Sequence, residues 1–261
     1  MASDPATATE SLRELLLEKA FQYNRLGFIA EDPIVLPHQF ERRQDIEIAG
    51  FFAATLAWGR RRTIIDKGRE LMARMDDAPY DFIRHHRETD LKRLLGFKHR
   101  TFCDTDLLYF VAWLRHHYAQ HDALEAAFLP PEGESSMEAG LRAFHRRFFG
   151  LDFAPARTQK HVATPDRGSA CKRLNMFLRW MIRRDQAGVD FGLWKTIKPA
   201  QLMLPLDLHV HRVALELGLM QRKQSDWKAV EELTAAMRAF DPQDPCRFDF
   251  ALFGMGVVEG V

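Results

Sequence analysis

Apolar positions recur along most of the chain at the spacing of an α-helix. Near the N-terminus one helical face carries Leu12, Leu15, Leu16, Ala20 and Tyr23. Residues 46–58 are apolar nearly all round, which is typical of a helix buried in a core. Three further segments repeat the pattern, at residues 107–118, 137–149 and 227–240. Strict two-residue alternation is hard to find, so we predict an all-α fold and no strand.

Another helix is predicted from Ser169 onward. Its apolar stripe consists of Leu174, Phe177, Leu178, Met181 and Ile182. A second face carries Lys172, Met176, Arg179 and Arg183, at positions i, i+4, i+7 and i+11. The basic side chains of this helix are therefore predicted to form an exposed stripe.

A helix is also predicted to begin near Pro205 and to end at Gly218, because proline suits a first turn and glycine suits the residue after a last turn. Its buried face consists of Leu206, Val210, Val213, Ala214 and Leu217. Asp207 lies at the N-terminal end, where a carboxylate can accept hydrogen bonds from backbone N–H groups.

Two irregular segments divide the chain. Residues 128–136 are predicted to be a loop, with Ser135 or Ser136 capping the next helix, and residues 151–168 form a second irregular stretch. We expect a single bilobed unit over residues 1–261. Its approximate parts are an N-terminal helical part, 1–150, and a basic part, 151–261.

Composition narrows the class of protein. Of the 261 residues, 46% are apolar and 28% are charged, which suffices for one substantial core without disulfides. Three cysteines without short spacings cannot supply the four thiolates of an iron–sulfur cluster or a zinc ribbon. No basic patch precedes an apolar run at the start, and no uncharged apolar stretch approaches the about 20 residues that span a bilayer. We expect a cytoplasmic protein with no membrane partner and no cofactor.

The net charge of +1 hides an uneven distribution. Residues 156–184 carry eight Lys or Arg and one acid, a local charge of +7, so the remainder of the chain is −6. A smaller basic cluster consists of Arg60, Arg61 and Arg62. A concentrated basic segment is either a solvated helix face or a contact for a polyanion such as nucleic acid, where phosphate contacts release counterions.

Two motifs carry a resemblance to a known superfamily. Gly168-Ser169-Ala170-Cys171-Lys172, followed by Phe177-Leu178-Arg179, resembles the hairpin and following helix of helix-hairpin-helix DNA glycosylases. The likeness is greatest to the archaeal-type 8-oxoguanine glycosylases. Downstream, Asp207-Leu208-His209 with Arg212 is similar to the second signature of the same superfamily.

The resemblance implies a bilobed helical fold of the helix-hairpin-helix glycosylase type, with double-stranded DNA as the partner and base excision in DNA repair as the function. It implies that Lys172 and Asp207 are catalytic. The implied DNA-binding residues are Arg167, Gly168, Ser169, Ala170, Arg173, Arg179 and Arg183. The candidates for lining the pocket of an extruded base are Trp58, Phe177, Trp180, Trp194 and His209.

The chain departs from the superfamily pattern in two places. Ala170 replaces the second hairpin glycine, so the turn cannot bring its backbone as close to a phosphate. Lys172 and Asp207 are 35 residues apart, which implies an insertion at about 184–204 that covers, reshapes or blocks the pocket. Three stretches also look like hallmarks of an uncharacterised bacterial family of unknown function, at residues 172–181, 207–212 and 244–254.

The chemistry of the implied reaction assigns roles to the two candidates. Cleavage of an N-glycosidic bond builds positive charge on the sugar, which a carboxylate at Asp207 would stabilise. An AP-lyase step adds an unprotonated amine, here Lys172, that forms a Schiff base at C1′. The alternatives are that Asp207 serves only as a helix cap and that Lys172 only contacts phosphate.

Two further functional readings stay open. The same fold can be a DNA-binding module without catalysis, its pocket closed by the insertion. A metal-dependent phosphohydrolase would use His85, His86, His116, His117 and His121 with nearby aspartates. We expect no metal site at Asp207, His209 and His211, because their alternating spacing points them to different helix faces.

Overall fold

The structure is a computed structural model that describes residues 5–261. Two compact units make up the chain: residues up to Phe28 together with Gly168–Val261, here called the discontinuous unit, and Ile29–Arg167, the central unit. The division differs from the sequence-based partition near residue 150. The first helix groups with the C-terminal part because it packs along the helix at residues 249–254.

The elements in chain order are mostly α-helices. They are α1 (Pro5–Tyr23), α2 (Arg43–Leu56), α3 (Arg61–Arg74), α4 (Pro79–His85), α5 (Asp104–Tyr118), α6 (Glu125–Phe128), α7 (Met137–Phe148), α8 (Lys172–Ile182), α9 (Leu208–Glu216), α10 (Trp227–Phe240) and α11 (Asp249–Gly254). Strands β1 (Lys98–His99) and β2 (Phe102–Cys103) form one short antiparallel pair. Short 3-10 helices cover Pro33–Val35, Pro37–Gln39, Glu88–Leu94, Ala156–His161, Pro165–Arg167, Pro199–Gln201 and Pro245–Phe248, and a π-helix covers Met255–Glu259.

The prediction of an all-α fold is confirmed, apart from the two-residue strands. Ser136 caps α7 as expected, its hydroxyl accepting the N–H of Ala139 at 3.2 Å. Two helix starts were placed too early. The segment after Ser169 becomes helical only at Lys172, because Cys171 has a left-handed backbone with a φ of 48°. The helix predicted from Pro205 starts at Leu208, because Asp207 is extended and caps it.

The central unit is built around α2, which is buried from Asp45 to Leu56. An aromatic cluster surrounds it, with the ring of Phe51 stacked on Phe110 at 5.5 Å and edge-on to Phe148 at 6.0 Å. Glu47 is fully buried, and its Oε2 accepts hydrogen bonds from the Tyr118 hydroxyl and the Leu124 N–H. The expectation of a core helix at residues 46–58 is therefore confirmed up to Leu56, where α2 ends, with Glu47 as a buried polar anchor.

The discontinuous unit is built around α11, which packs against α1 and α9. The approach of α1 is close enough to require a glycine: a Cβ on Gly254 would lie 2.1 Å from Cδ2 of Tyr23. Substitution of Gly254 would therefore push the two helices apart. None of the helices described over residues 5–261 is long and apolar enough to cross a membrane.

A buried carboxylate gives the central unit a predicted pH dependence. Burial would raise the pKa of Asp106, but bonds from His161, the Cys103 N–H and the Thr158 hydroxyl hold that pKa well below its usual range. Its stabilising effect is therefore complete above the unfolded pKa of about 3.9 and is lost as the pH falls below it. We expect Asp106→Asn to lower the free energy of unfolding by about 2 kcal/mol at pH 7.

Urea unfolding at pH 7 and at pH 3.5 checks this expectation. The difference in the free energy of unfolding between the wild type and Asp106→Asn should narrow at the lower pH, because the carboxyl in the unfolded wild-type chain then begins to take up a proton while the folded one stays ionised. Asp152→Asn is the control, since Asp152 is exposed in the same unit. A difference that is the same at both pH values would show that Asp106 does not act through its charge.

Candidate active site

The loop before α8 places Lys172 at the first helical position. Gly168 has a φ of 69°, and its carbonyl accepts the N–H of Trp227 at 3.1 Å. The Cys171 N–H donates to the Ser169 hydroxyl at 3.1 Å. Cys171 itself lies in the left-handed region, which a residue with a Cβ adopts at a cost of about 1 kcal/mol. The strained backbone thus lies directly beside the candidate lysine.

Asp207 reaches the same place from the start of α9. Its Oδ1 accepts the backbone N–H groups of His209 and Val210 at 2.9 and 3.0 Å, so the carboxylate caps the helix as predicted. Because both cap bonds use Oδ1, Oδ2 is left to face other groups. The cap also places the negative charge at the positive end of the helix dipole.

The structure brings the two candidate catalytic side chains together. Lys172 Nζ lies 3.9 Å from Asp207 Oδ2, although the residues are 35 positions apart. The Lys172 side chain is 30% exposed and that of Asp207 is 21% exposed, so solvent reaches both groups. Nζ also lies 3.5 Å from the sulfur of Met176 on the next turn of α8.

The predicted exposed basic stripe on α8 is wrong for Arg179 and Arg183. Both residues are buried and paired with carboxylates. Arg179 contacts Asp249 through Nη1 and Asp190 at 3.3 Å through Nε. Arg183 lies 3.2 Å from Asp190 and 2.8 Å from Asp244. A fourth acid, Asp185, also pairs with Arg183. Because acids outside α8 neutralise both guanidiniums, this helix face is not a free phosphate-binding surface.

The segment 184–204, which the resemblance predicts to be an insertion, is hydrogen-bonded to α8. The Phe191 N–H donates to the Trp180 carbonyl at 2.8 Å, and the Trp194 N–H donates to the Met181 carbonyl at 3.0 Å. These two carbonyls lie in the last turn of α8, where no N–H group of the helix is available to them, so the bonds from the segment satisfy them. The same segment supplies Asp190 to the buried ion pairs, so it completes the packing of the helix that carries Lys172.

The candidate pocket aromatics lie in different environments. Three of them are fully buried core residues: Phe177, Trp180 and Trp194, with Trp194 edge-on to Phe177 at 5.5 Å. The prediction that these three stack on an extruded base is therefore wrong, because a base cannot reach them. Trp58 belongs to the central unit, where the Arg100 guanidinium lies 5.4 Å from its ring. His209 is exposed beside Asp207, and its Nδ1 lies 3.2 Å from the Gly256 carbonyl.

The remaining predicted DNA contacts are accessible to different degrees. Gly168 is exposed, and Ser169 and Ala170 are partly exposed. Arg173 is partly exposed on the first turn of α8, and burial lowers its pKa. Arg167 is exposed at the end of the central unit and donates to the Gln159 side chain at 2.5 Å. The segment before the loop consists of short 3-10 helices.

No group of three His, Cys, Asp or Glu side chains in the described part of the chain is arranged to hold a metal ion. His209 and His211 bond to different carbonyls, those of Gly256 and Arg222. They lie on different faces of α9, as their spacing predicts. His117, one of the paired histidines, is bonded to the Ala123 carbonyl, and burial lowers its pKa to about 4.

Sequence reasoning missed Asp249, a buried acid on α11 that faces the helix carrying Lys172. Its carboxylate pairs with Arg179, and the charges of both Lys172 and Asp207 act on it. Burial raises the pKa of Asp249 to about 6, an effect that the nearby arginine reduces. The signal was present in the chain: an aspartate between Phe248 and Phe250, inside an apolar run, predicts a charged group in a core.

Comparison with known proteins gives one match. Residues 32–258 match the family described as "Protein of unknown function (DUF2400)". No curated protein matches, and no solved structure matches. The matched range covers most of both units, including Lys172, Asp207 and Asp249. The chain therefore belongs to the DUF2400 family.

Proposed function

We propose that this protein is a DNA glycosylase-like enzyme that excises a modified base from duplex DNA and has AP-lyase activity. The observation that supports the proposal is the 3.9 Å separation of Lys172 Nζ and Asp207 Oδ2. Both groups are open to solvent beside a loop whose sequence resembles the glycosylase hairpin. The proposed setting is the cytoplasm, with double-stranded DNA as the substrate.

The two side chains have complementary tasks in this reaction. As the bond between the base and C1′ breaks, positive charge grows on the sugar, and Oδ2 of Asp207 stabilises it. In simple base release, water adds to C1′ and its proton goes to the departing base. In the lyase branch the unprotonated Lys172 amine forms the bond to C1′ as the bond from C1′ to the base breaks, or as the hydroxyl of an abasic site leaves as water. The new nitrogen then passes one proton to O4′ as the C1′–O4′ bond of the ring breaks, which gives the protonated Schiff base. Oδ1 stays bound to the cap of α9, which holds the carboxylate in place.

A cationic surface on the central unit supports binding of nucleic acid. Arg60 caps α3 without a side-chain hydrogen bond, and the first turn of α3 contains no acid. Cations are disfavoured at the positive end of a helix, and a bound phosphate would offset this cost. Within residues 5–261 no carboxylate pairs with Arg60, Arg62 or Arg100. Arginines elsewhere in the unit, such as Arg42 and Arg93, do have acidic partners.

We expect the double variant Arg60→Gln, Arg62→Gln to weaken binding to duplex DNA by about tenfold. The slope of the logarithm of the binding constant against the logarithm of the salt concentration should become shallower by about one to two, which corresponds to the loss of one to two phosphate contacts. Fluorescence anisotropy at several salt concentrations measures both quantities. Arg42→Gln, Arg93→Gln is the matched control, because it removes the same charge from paired positions. Equal weakening by the two double variants would show that only total charge matters.

The decisive test of the function uses duplex oligonucleotides that contain 8-oxoguanine, another modified base or an abasic site. Base release is measured by strand cleavage after alkali, and the lyase branch by borohydride trapping. We expect release from at least one modified base and a trapped adduct on the abasic site. Binding of these duplexes without release or adduct on any of them would reject the enzymatic proposal.

The burial of the candidate aromatics favours a second function, a DNA-binding module without catalysis. Phe177, Trp180 and Trp194 fill the core instead of lining a base pocket. This alternative predicts salt-dependent binding of undamaged duplex and no product. It also predicts that Lys172→Ala weakens binding to the same extent on damaged and undamaged DNA.

A further inference from the structure

We propose that a cavity in the central unit binds a small organic anion, that is, an oxyanion such as a phosphate or a carboxylate joined to an apolar body. The cavity, here called the histidine cavity, has a volume of about 640 Å³. Its lining residues come from the end of α5 and the loop after it, from residues 126–130 and from Arg147 of α7. This is a second site, and it does not depend on the proposed reaction with DNA.

Arg147 supplies a positive charge that no acid neutralises. Its Nη1 donates to the carbonyls of Ala127 at 2.9 Å and Leu129 at 2.7 Å, so the guanidinium is held in one orientation. Within residues 5–261 no carboxylate pairs with Arg147, and no hydrogen bond uses its Nε or Nη2. Burial, and then the charge of Arg146, lowers the pKa of Arg147, as expected without an acidic partner. Three N–H donors thus remain for an oxyanion, which a guanidinium binds through two parallel hydrogen bonds.

The histidines add further hydrogen-bond donors. Nε2 of His116 lies 3.0 Å from Nε2 of Gln120. Because the amide nitrogen donates, Nε2 of His116 accepts, and its Nδ1–H is left to bind a ligand. His117 is buried, and its Nε2 donates to the Ala123 carbonyl at 2.9 Å, which fixes the ring. His121 is exposed, with its ring centre 4.9 Å from that of His117, so its N–H group is a further donor at the cavity.

An apolar wall indicates that the ligand is larger than a simple ion. Ala126, Leu129 and Pro130 line the cavity and are partly exposed. Behind them Trp113 is buried, and its ring stacks on His117 at 5.2 Å. Cavities that bind small organic molecules have volumes of about 300–1,000 Å³, a range that includes this one. A phosphate ion alone would leave the apolar wall in contact with water, so the ligand is expected to carry an apolar body.

The charges and donors together select an anion. Among the described residues that line the histidine cavity there is no Asp or Glu, and Arg147 carries a permanent charge. A cationic ligand would meet this charge unopposed. An oxyanion neutralises it and accepts hydrogen bonds from the guanidinium and the imidazoles. The cavity therefore fits a phosphomonoester or a carboxylic acid with an apolar ring or chain.

An NMR titration of the full chain with phenyl phosphate at pH 7 tests the proposal. The ring-proton resonances of His116 and His121 report on the cavity, and those of His85, exposed on α4, serve as the reference. We expect saturable changes at His116 and His121, with a dissociation constant of about 1 mM, and no change at His85. Phenol lacks the oxyanion and inorganic phosphate lacks the apolar body, so each should bind at least about tenfold more weakly.

A pair of matched variants tests the role of the arginine. Arg147→Gln should weaken the binding of phenyl phosphate by about tenfold or more, because it removes the charge and the bidentate donors. Arg146→Gln is the control, since Arg146 is the neighbouring exposed arginine of α7 and does not line the cavity. Equal weakening by the two variants would overturn the proposal. If Arg147→Gln does not fold, the wild-type titration decides: no saturable change at His116 and His121, or an equal change at His85, contradicts the proposal.

Duplex DNA also carries oxyanions, so undamaged duplex is titrated separately. We expect it to leave the resonances of His116 and His121 in place, because a backbone phosphate brings no apolar body into the cavity. Movement of both resonances by the duplex and not by phenyl phosphate would assign the cavity to a DNA-binding surface and overturn the proposal. None of these measurements uses base release or adduct formation, so failure of the proposed function would leave the anion site standing.

Discussion

Replacement of Lys172 by glutamine is expected to reduce the borohydride-trapped adduct on abasic-site DNA to background. Glutamine keeps a polar side chain of similar reach but has no amine to form the bond to C1′. Lys172 is the lysine whose Nζ lies 3.9 Å from Asp207 Oδ2, at the proposed site of the reaction. Gel analysis of the trapped protein–DNA complex measures the loss of adduct. The readout is specific because borohydride makes the protein–DNA bond stable only where a Schiff base has formed.

The matched control for this variant is Lys223→Gln. Lys223 is exposed in the loop before α10, so its loss removes the same charge without touching the site. Thermal unfolding of all three proteins excludes a folding defect. An adduct that persists in Lys172→Gln would assign the nucleophile to another amine and remove the chemical basis of the proposed lyase branch.

Asp207→Asn provides the complementary measurement on base release. We expect the release rate to fall by roughly a hundredfold or more, because an amide cannot stabilise positive charge on the sugar. The amide oxygen can still accept the N–H groups of His209 and Val210, so α9 keeps its cap. A release rate equal to that of the wild type would leave Asp207 as a helix cap only.

The second large expected effect is on stability. Asp190→Ala should lower the free energy of unfolding by about 3 kcal/mol, since removing one member of a buried charge cluster leaves the others uncompensated. Asp190 is buried between Arg179 and Arg183 and is the acid that joins them. For a chain of this size the loss corresponds to a decrease in Tm of roughly 10 °C.

Near-UV circular dichroism follows this unfolding through the buried tryptophans, Trp180 and Trp194. Asp185→Ala is the comparison, because Asp185 also pairs with Arg183 but its side chain is partly exposed. We expect its effect to be smaller than half of that of Asp190→Ala. Equal effects would mean that the cluster gains little from burial and behaves as a set of surface ion pairs.

Much of the secondary structure follows from local sequence. The helical periodicity at residues 137–149 and the serine before it predicted both the extent of α7 and its cap. The cap at Asp207 was predicted in the same way, because the energy of an N-cap depends only on groups within about one turn. The predicted starts of the helices near Ser169 and Pro205 were too early by up to three residues. Backbone conformations such as the left-handed one of Cys171 do not affect the spacing of apolar residues, so that spacing could not predict them.

The candidate site was predicted only in part. The motifs selected Lys172 and Asp207, and the structure places their charged groups 3.9 Å apart. The motifs could not show that Asp249 pairs with Arg179 of α8, because α11 is positioned by its packing with α1 and α9. Nor could they show that Arg183 is buried. Its acidic partners lie at positions 185, 190 and 244. The helical periodicity of α8 carries no information about these residues, because they lie outside the helix.

The sequence by itself determined the all-helical class and the extent of most helices, because propensity, periodicity and capping act over a few neighbouring residues. Its resemblance to a known superfamily selected Lys172 and Asp207 as candidates. Only the tertiary structure decided which charges are exposed and which are neutralised. That outcome depends on burial and on partners from distant segments, such as Asp190 and Asp249 on the two sides of Arg179. The local sequence of a helix is the same whether its basic side chains are exposed or belong to a buried ion cluster. The segments that pack against the helix decide between the two outcomes.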